Sequence, residues 1–142
     1  MAVTTSDSKK PADEKYIKIL KLMIDEPTNY NKIMSSAVEG GHMEIVKFML
    51  EKGAKNYDWA MSNAASSGNI EIVKLMLEKG AKNYDLAMSN AARVGHMDIV
   101  KLLQEHQKIQ EVESSKDAEI NLLKKEIELL KLKLNKIQEI IQ

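Results

Sequence analysis

Two histidines and three serines are the side chains best suited to chemistry in this chain, and their spacing decides what they can do. His42 and His96 sit in the same local context, Gly-His-Met. An imidazole there could ligate a metal or relay a proton. A metal site needs several His, Cys, Asp or Glu ligands converging. The chain has no cysteine and no acidic cluster at ligand spacing, and Asn69 occupies the third equivalent place. An amide and an imidazole share the ability to make a hydrogen bond at a helix start, so we read all three as structural. Ser35, Ser62 and Ser89 recur 27 residues apart. A nucleophile is one activated copy beside a base, whereas a serine repeated in register is a repeated packing or capping solution. No Gly-x-Ser-x-Gly elbow and no phosphate-binding loop is present. The expectation is a protein that is not an enzyme, with no catalytic, cofactor-binding or metal-binding residues and no cofactor.

The period that disqualifies the serines organises the chain. Units beginning at Asn29, Asn56 and Asn83 read NYNKIMSSAVEGGHMEIVKFMLEKGAK, NYDWAMSNAASSGNIEIVKLMLEKGAK and NYDLAMSNAARVGHMDIVKLLQEHQKI. Such a period marks a stacked array in which no unit buries its apolar face alone. Each unit reads as a helical hairpin. In the middle one, Asp58 is the expected N-cap, and Met61, Ala64 and Ala65 form the apolar stripe of a first helix. Gly68 ends that helix. A second helix starts near Asn69 or Ile70 and turns Ile72, Val73, Met76 and Leu77 to the core, with Glu71 and Lys79 complementing its dipole. Gly80 closes the unit. Tyr30, Tyr57 and Tyr84 repeat without variation, which suits packing between units. The methionines fall at helical core spacing, so they are read as core filling. The expected repeats span about 29–55, 56–82 and 83–107. Before them, residues 1–13 are polar and expected to be disordered. Residues 14–27 read as a capping helix, ended by Pro27, that resembles a second helix without its first.

Composition narrows the function classes. Twenty-one basic and 21 acidic side chains give zero formal net charge, and no basic cluster of the kind that binds phosphates stands out, so no nucleic-acid partner is expected. No run approaches the roughly 20 apolar residues of a membrane span, and the opening MAVTTSDSKKPADEK lacks the apolar stretch of a secretory leader. The absence of cysteine suits a reducing compartment. We therefore expect a soluble intracellular protein, cytoplasmic, with no membrane partner.

The stretch Gly-His-Met-Glu-Ile-Val-Lys-Phe-Met-Leu-Glu-Lys-Gly-Ala, Gly41 to Ala54, resembles the second half of an ankyrin repeat, and Ala64-Ala65-x-x-Gly68 is similar to that family's first-helix ending. The resemblance covers about Tyr16 to Glu105. It implies a stack of helical hairpins that binds proteins. Two departures stand out. The units run 27 residues against about 33 in the family, the deficit falling where ankyrin repeats carry a β-hairpin loop, and Trp59-Ala60-Met61-Ser62 replaces the Thr-Pro-Leu-His turn. Short units of this kind look like the ankyrin-like arrays of large DNA viruses, which would place the protein in host cytoplasm.

The third unit has His106-Gln107-Lys108 where the others have Lys-Gly-Ala, so its second helix can run on through Ile109 and Val112. Ser114 with Asp117 resembles a capping box that restarts a helix. Beyond it, Ile120, Leu123, Ile127, Leu130, Leu134, Ile137 and Ile141 alternate at spacings of three and four, an a/d seam over three heptads. Residues 108–142 are thus expected to be a helical extension and coiled coil. With Ile120 at a, Glu119 and Glu126 precede Lys124 and Lys131 by five, as a parallel pair requires. Ile at a with Leu at d favours a parallel dimer, Leu134 with Ile137 inverts that preference, and Leu122, Leu129 and Leu132 widen the apolar surface toward a higher oligomer or another partner.

In an array, packing demands sameness, so positions that vary between units are candidates for binding. These are Lys32/Trp59/Leu86, Ser36/Asn63/Asn90 and Glu39-Gly40/Ser66-Ser67/Arg93-Val94. The last set matches the pair before Gly-His on the binding side of ankyrin repeats. Trp59 is the sole tryptophan and either anchors an interface or covers its neighbour's core. The overall expectation is an all-α chain, a short solenoid of ankyrin-like hairpins followed by a long coiled-coil helix. Its expected role is a protein–protein interaction adaptor or scaffold presented on a homo-oligomer, its partner unknown. The alternative is a structural assembly protein whose coil builds a larger oligomer.

Overall fold

The computed structural model describes residues 17–18 and 30–142. Among them the regular elements are all helical: α1 (Tyr30–Glu39), α2 (Met43–Lys52), α3 (Tyr57–Ser67), α4 (Ile70–Glu78), α5 (Tyr84–Val94) and α6 (Met97–Ile141). The chain divides into two units, Met1–Leu103 and Gln104–Gln142. Of the expected capping helix, Ile17 and Lys18 are helical, Ile17 packing against the core and Lys18 exposed. The rest of 14–27 and the expected tail 1–13 lie outside the described residues.

In the first unit, α1, α3 and α5 stack in a column, with α2 and α4 folded back against α1 and α3. The reversal between paired helices is built by glycine. Gly68 has φ +75, a conformation a side chain disfavours. That twist lets the Asn69 N–H donate back to Ala64 O at 2.9 Å, closing a Schellman turn. Small residues allow the first helices to approach: Ala60, Ala64, Ala65, Ala87 and Ala91 are fully buried. Between them Met34, Met49, Met61 and Met76 have no exposed surface. Each such side chain contributes about 2 kcal/mol by leaving water, so these four methionines are core; Met88 is half-buried, and Met97, 58% exposed, departs from the expected core filling.

Two local expectations are corrected. Asp58 does not cap its own helix, because α3 already begins at Tyr57 after Asn56, and the Asp58 side chain is used elsewhere. The Ser114–Asp117 capping box does not form either, since α6 runs unbroken from Met97 to Ile141. A box competes with helix continuation only where the preceding turn has already left the helix. No glycine or proline follows Gly95, and two serines cost a helix of good formers only about 0.5 kcal/mol each. In the second unit, Gln104–Gln142 is one helix, about 57 Å long to Ile141 at 1.5 Å per residue.

Candidate interaction surfaces

The junctions between repeats are held by side chains that reach from one unit to the next. Asp58 Oδ1 accepts hydrogen bonds from the backbone N–H groups of Lys82 (2.6 Å) and Asn83 (2.9 Å), ahead of α5. Asn31 Oδ1 does the same for Lys55 (2.9 Å) and Asn56 (3.1 Å), ahead of α3. One oxygen thus satisfies two donors of the incoming loop, including donors near a helix start that lack an intrahelical partner. Asn69 donates from Nδ2 to Val38 O of the preceding unit at 3.1 Å, and the His96 ring packs against Gly68. Neither His42 nor Asn69 caps its helix through its side chain, which corrects the reading of a hydrogen bond at the helix start. Tyr84 is buried against this junction. Burial, and secondarily the charge of Asp58, raise its phenol above the usual 10.0.

The serines separate. Ser35 Oγ donates to Asn31 O at 2.9 Å, Ser62 is buried and accepts from Asn90 Nδ2 at 2.7 Å, and Ser89 is exposed. Among the described residues, no three His, Cys, Asp or Glu side chains could together hold a metal ion, and no helix is long and apolar enough to cross a membrane. Lys47 and Lys74 pair with Glu44 and Glu71 on their own helices, at 3.7 and 3.1 Å. Exposed pairs of that kind are worth less than about 1 kcal/mol.

The variable positions fall into two groups. Trp59 (50% exposed), Leu86 (42%) and Val94 (49%) are large apolar groups in water, and Lys32, Ser36, Glu39, Ser67 and Arg93 are exposed with them. Trp59 belongs neither to the core nor to the hydrophobic groups packed against it. Ser66 is half-buried. Asn63 and Asn90 are half-buried and engaged within the stack, Asn63 Nδ2 donating to Glu39 Oε1 at 3.5 Å and Asn90 to Ser62. The two asparagines thus reach back to the preceding unit, while Ser36 at the same position of the first unit is exposed. Reasoning from sequence missed Asn31 and gave Asp58 a role in its own helix; the signal for their shared role was an acceptor recurring at one register position.

In the second unit, Ile120, Leu123, Ile127, Leu130, Leu134, Ile137 and Ile141 are all between 48% and 78% exposed. Leu122, Leu129 and Leu132 are similarly exposed. At 100° per residue these three lie on the far side of the helix from the a/d seam, so they form a separate apolar stripe and do not widen the seam as expected. Lys131 pairs with Glu128 at 2.9 Å on its own helix. A family model described as ankyrin repeats (3 copies) matches residues 12–87, more than half of the chain. No curated protein matches it.

Proposed function

Because this chain belongs to the ankyrin-repeat family, we propose that it is a non-enzymatic protein-interaction module whose array is presented on a coiled-coil oligomer, as an adaptor or scaffold. The observation that carries this reading is the run of exposed aliphatic side chains along Ile120–Ile141. A helix bearing so many apolar groups at a/d spacing is stable in water when it buries them against a partner helix. In a parallel, in-register pair, Glu119 and Glu126 reach Lys124 and Lys131 of the other strand. An antiparallel pair instead brings Lys131 near its own copy. Two arrays on one stalk gain avidity through effective concentration. The Trp59, Leu86, Arg93 and Val94 surface is the proposed partner face, since exposed Trp and Arg are favoured anchors. Host cytoplasm of a large DNA virus is the proposed setting, on the likeness of the short units to arrays of that origin.

The test is the solution mass of the full chain by light scattering. A parallel dimer gives twice 16.0 kDa, and Leu123→Ser with Leu130→Ser returns it to a monomer. A monomeric wild-type chain overturns the homo-oligomer. The exposed Leu122, Leu129 and Leu132 favour a second reading, assembly into larger particles, which filaments in negative-stain images would establish in place of the first.

A further inference from the structure

We infer that the C-terminal end of the array is an open docking face for a helical hairpin of ankyrin type carried by a different polypeptide. The basis is one register read three times. Asn31 and Asp58, both exposed, each accept two backbone N–H groups from the following unit, whereas Asp85, one period later and equally exposed, accepts no such pair among the described residues. Ser62 is buried and accepts the carboxamide of Asn90, while Ser89 is exposed. Val38 and Ala65 are fully buried beneath the next unit's helices; Ala92 is exposed. Gly41 and Gly68 have Asn69 and His96 laid against them, and Gly95 has nothing within 4 Å. The face that the fold uses twice for stacking is thus presented a third time with its acceptors open.

The chemistry of this face selects its occupant. It offers the Asp85 carboxylate, which only accepts, and the Ser89 hydroxyl, which accepts or donates, around a small apolar centre, so the carboxylate calls for donors. Two copies meeting face to face would set Asp85 against Asp85, which is repulsive. The start of a second copy fits no better. Ser36 stands where Asn63 and Asn90 supply a carboxamide. The fitting partner is another chain whose terminal hairpin presents two consecutive free backbone N–H groups, an asparagine seven residues on, and an Asn or His thirteen residues on. That is the pattern Asn56/Asn63/Asn69 and Asn83/Asn90/His96 display at the internal junctions. Continuity with the interface already in the array is the argument, and it depends neither on the Trp59 surface nor on the coil.

The probe for the test is a protein of four tandem copies of residues 56–82, used once its circular dichroism shows it helical. Its last copy carries Ala65→Glu so that it does not stack on itself. Titrated calorimetrically into the full chain, it is expected to bind one per chain. Ala92→Glu in the full chain, at an exposed alanine that the fold does not need, should weaken binding at least tenfold, and Asp85→Ala severalfold. Trp59→Ala and Leu130→Ser should leave it unchanged. No binding at about 100 μM probe, weaker than the micromolar range of a modest specific contact, overturns the inference. Binding that Ala92→Glu leaves intact overturns it equally.

Discussion

Asp58→Ala and Asp85→Ala remove the same atoms from the same register position and should have different consequences. Asp58 holds the N–H groups of Lys82 and Asn83 at 2.6 and 2.9 Å. Its loss leaves both donors without a protein partner and loosens the start of α5. Hydrogen bonds to a charged acceptor are worth about 1.5–3 kcal/mol in sheltered sites. These two are exposed, where water replaces much of what is lost, so the range measured for helix caps applies, about 1–2 kcal/mol for the substitution. In an array unit of this size that lowers the thermal midpoint by roughly 5–15 °C. Asp85 has no following loop to hold, so its removal should stay within about 0.5 kcal/mol. Asp58→Asn keeps the acceptor, as Asn31 does in the first unit, and should fall between. The assay is urea unfolding of the full chain followed by Trp59 fluorescence, because the sole tryptophan lies in the array beside Asp58 and is blind to the long tail. Equal shifts for the two alanine variants would refute the reasoning, since a general charge effect would then account for both.

Two further predictions test the same junction. Gly68→Ala places a Cβ 2.6 Å from the His96 ring at φ +75, whereas Gly95→Ala at φ +90 meets nothing within 4 Å. Both carry backbone strain of about 1–2 kcal/mol, and the crowded site should cost about 1 kcal/mol or more beyond that, read as a difference in urea midpoints. Tyr84 holds its proton more tightly in the fold than the ordinary 10.0. Its contribution to stability is therefore whole below about pH 10 and is lost as pH rises through the raised folded value. Wild type should lose stability faster than Tyr84→Phe across that alkaline range, and parallel curves would dismiss the effect.

What could be read from the residues alone follows the range of the interactions concerned. Gly68 was legible because the demand for positive φ lies within one turn of the chain, and the stripe Met61, Ala64, Ala65 because helical period alone brings it to one face. The missing Lys-Gly-Ala after the third unit likewise announced that the second helix would not stop. Ser114 with Asp117 misled for the converse reason. The local motif was real, but nothing upstream ends α6, so helix continuation won. Asp58 misled because its partners lie 24 and 25 residues ahead, and a carboxylate near a helix start looks the same whether it serves its own helix or the next.

Asn63 and Asn90 show the same dependence on a neighbouring unit. The same residue type at one register position reaches back to different partners in the preceding unit, Glu39 from Asn63 and Ser62 from Asn90. In a repeat array a residue's role is set by its register together with whether a unit follows. Asp58 and Asp85 are identical in type and local sequence, Asn-Tyr-Asp, yet one is a junction staple and the other an open acceptor. The same asymmetry holds for Ser62 against Ser89 and Ala65 against Ala92. No property of a single unit distinguishes the members of these pairs; only position in the stack does. Structural residues in the middle of the array thereby become candidate binding residues at its end, with no change of sequence.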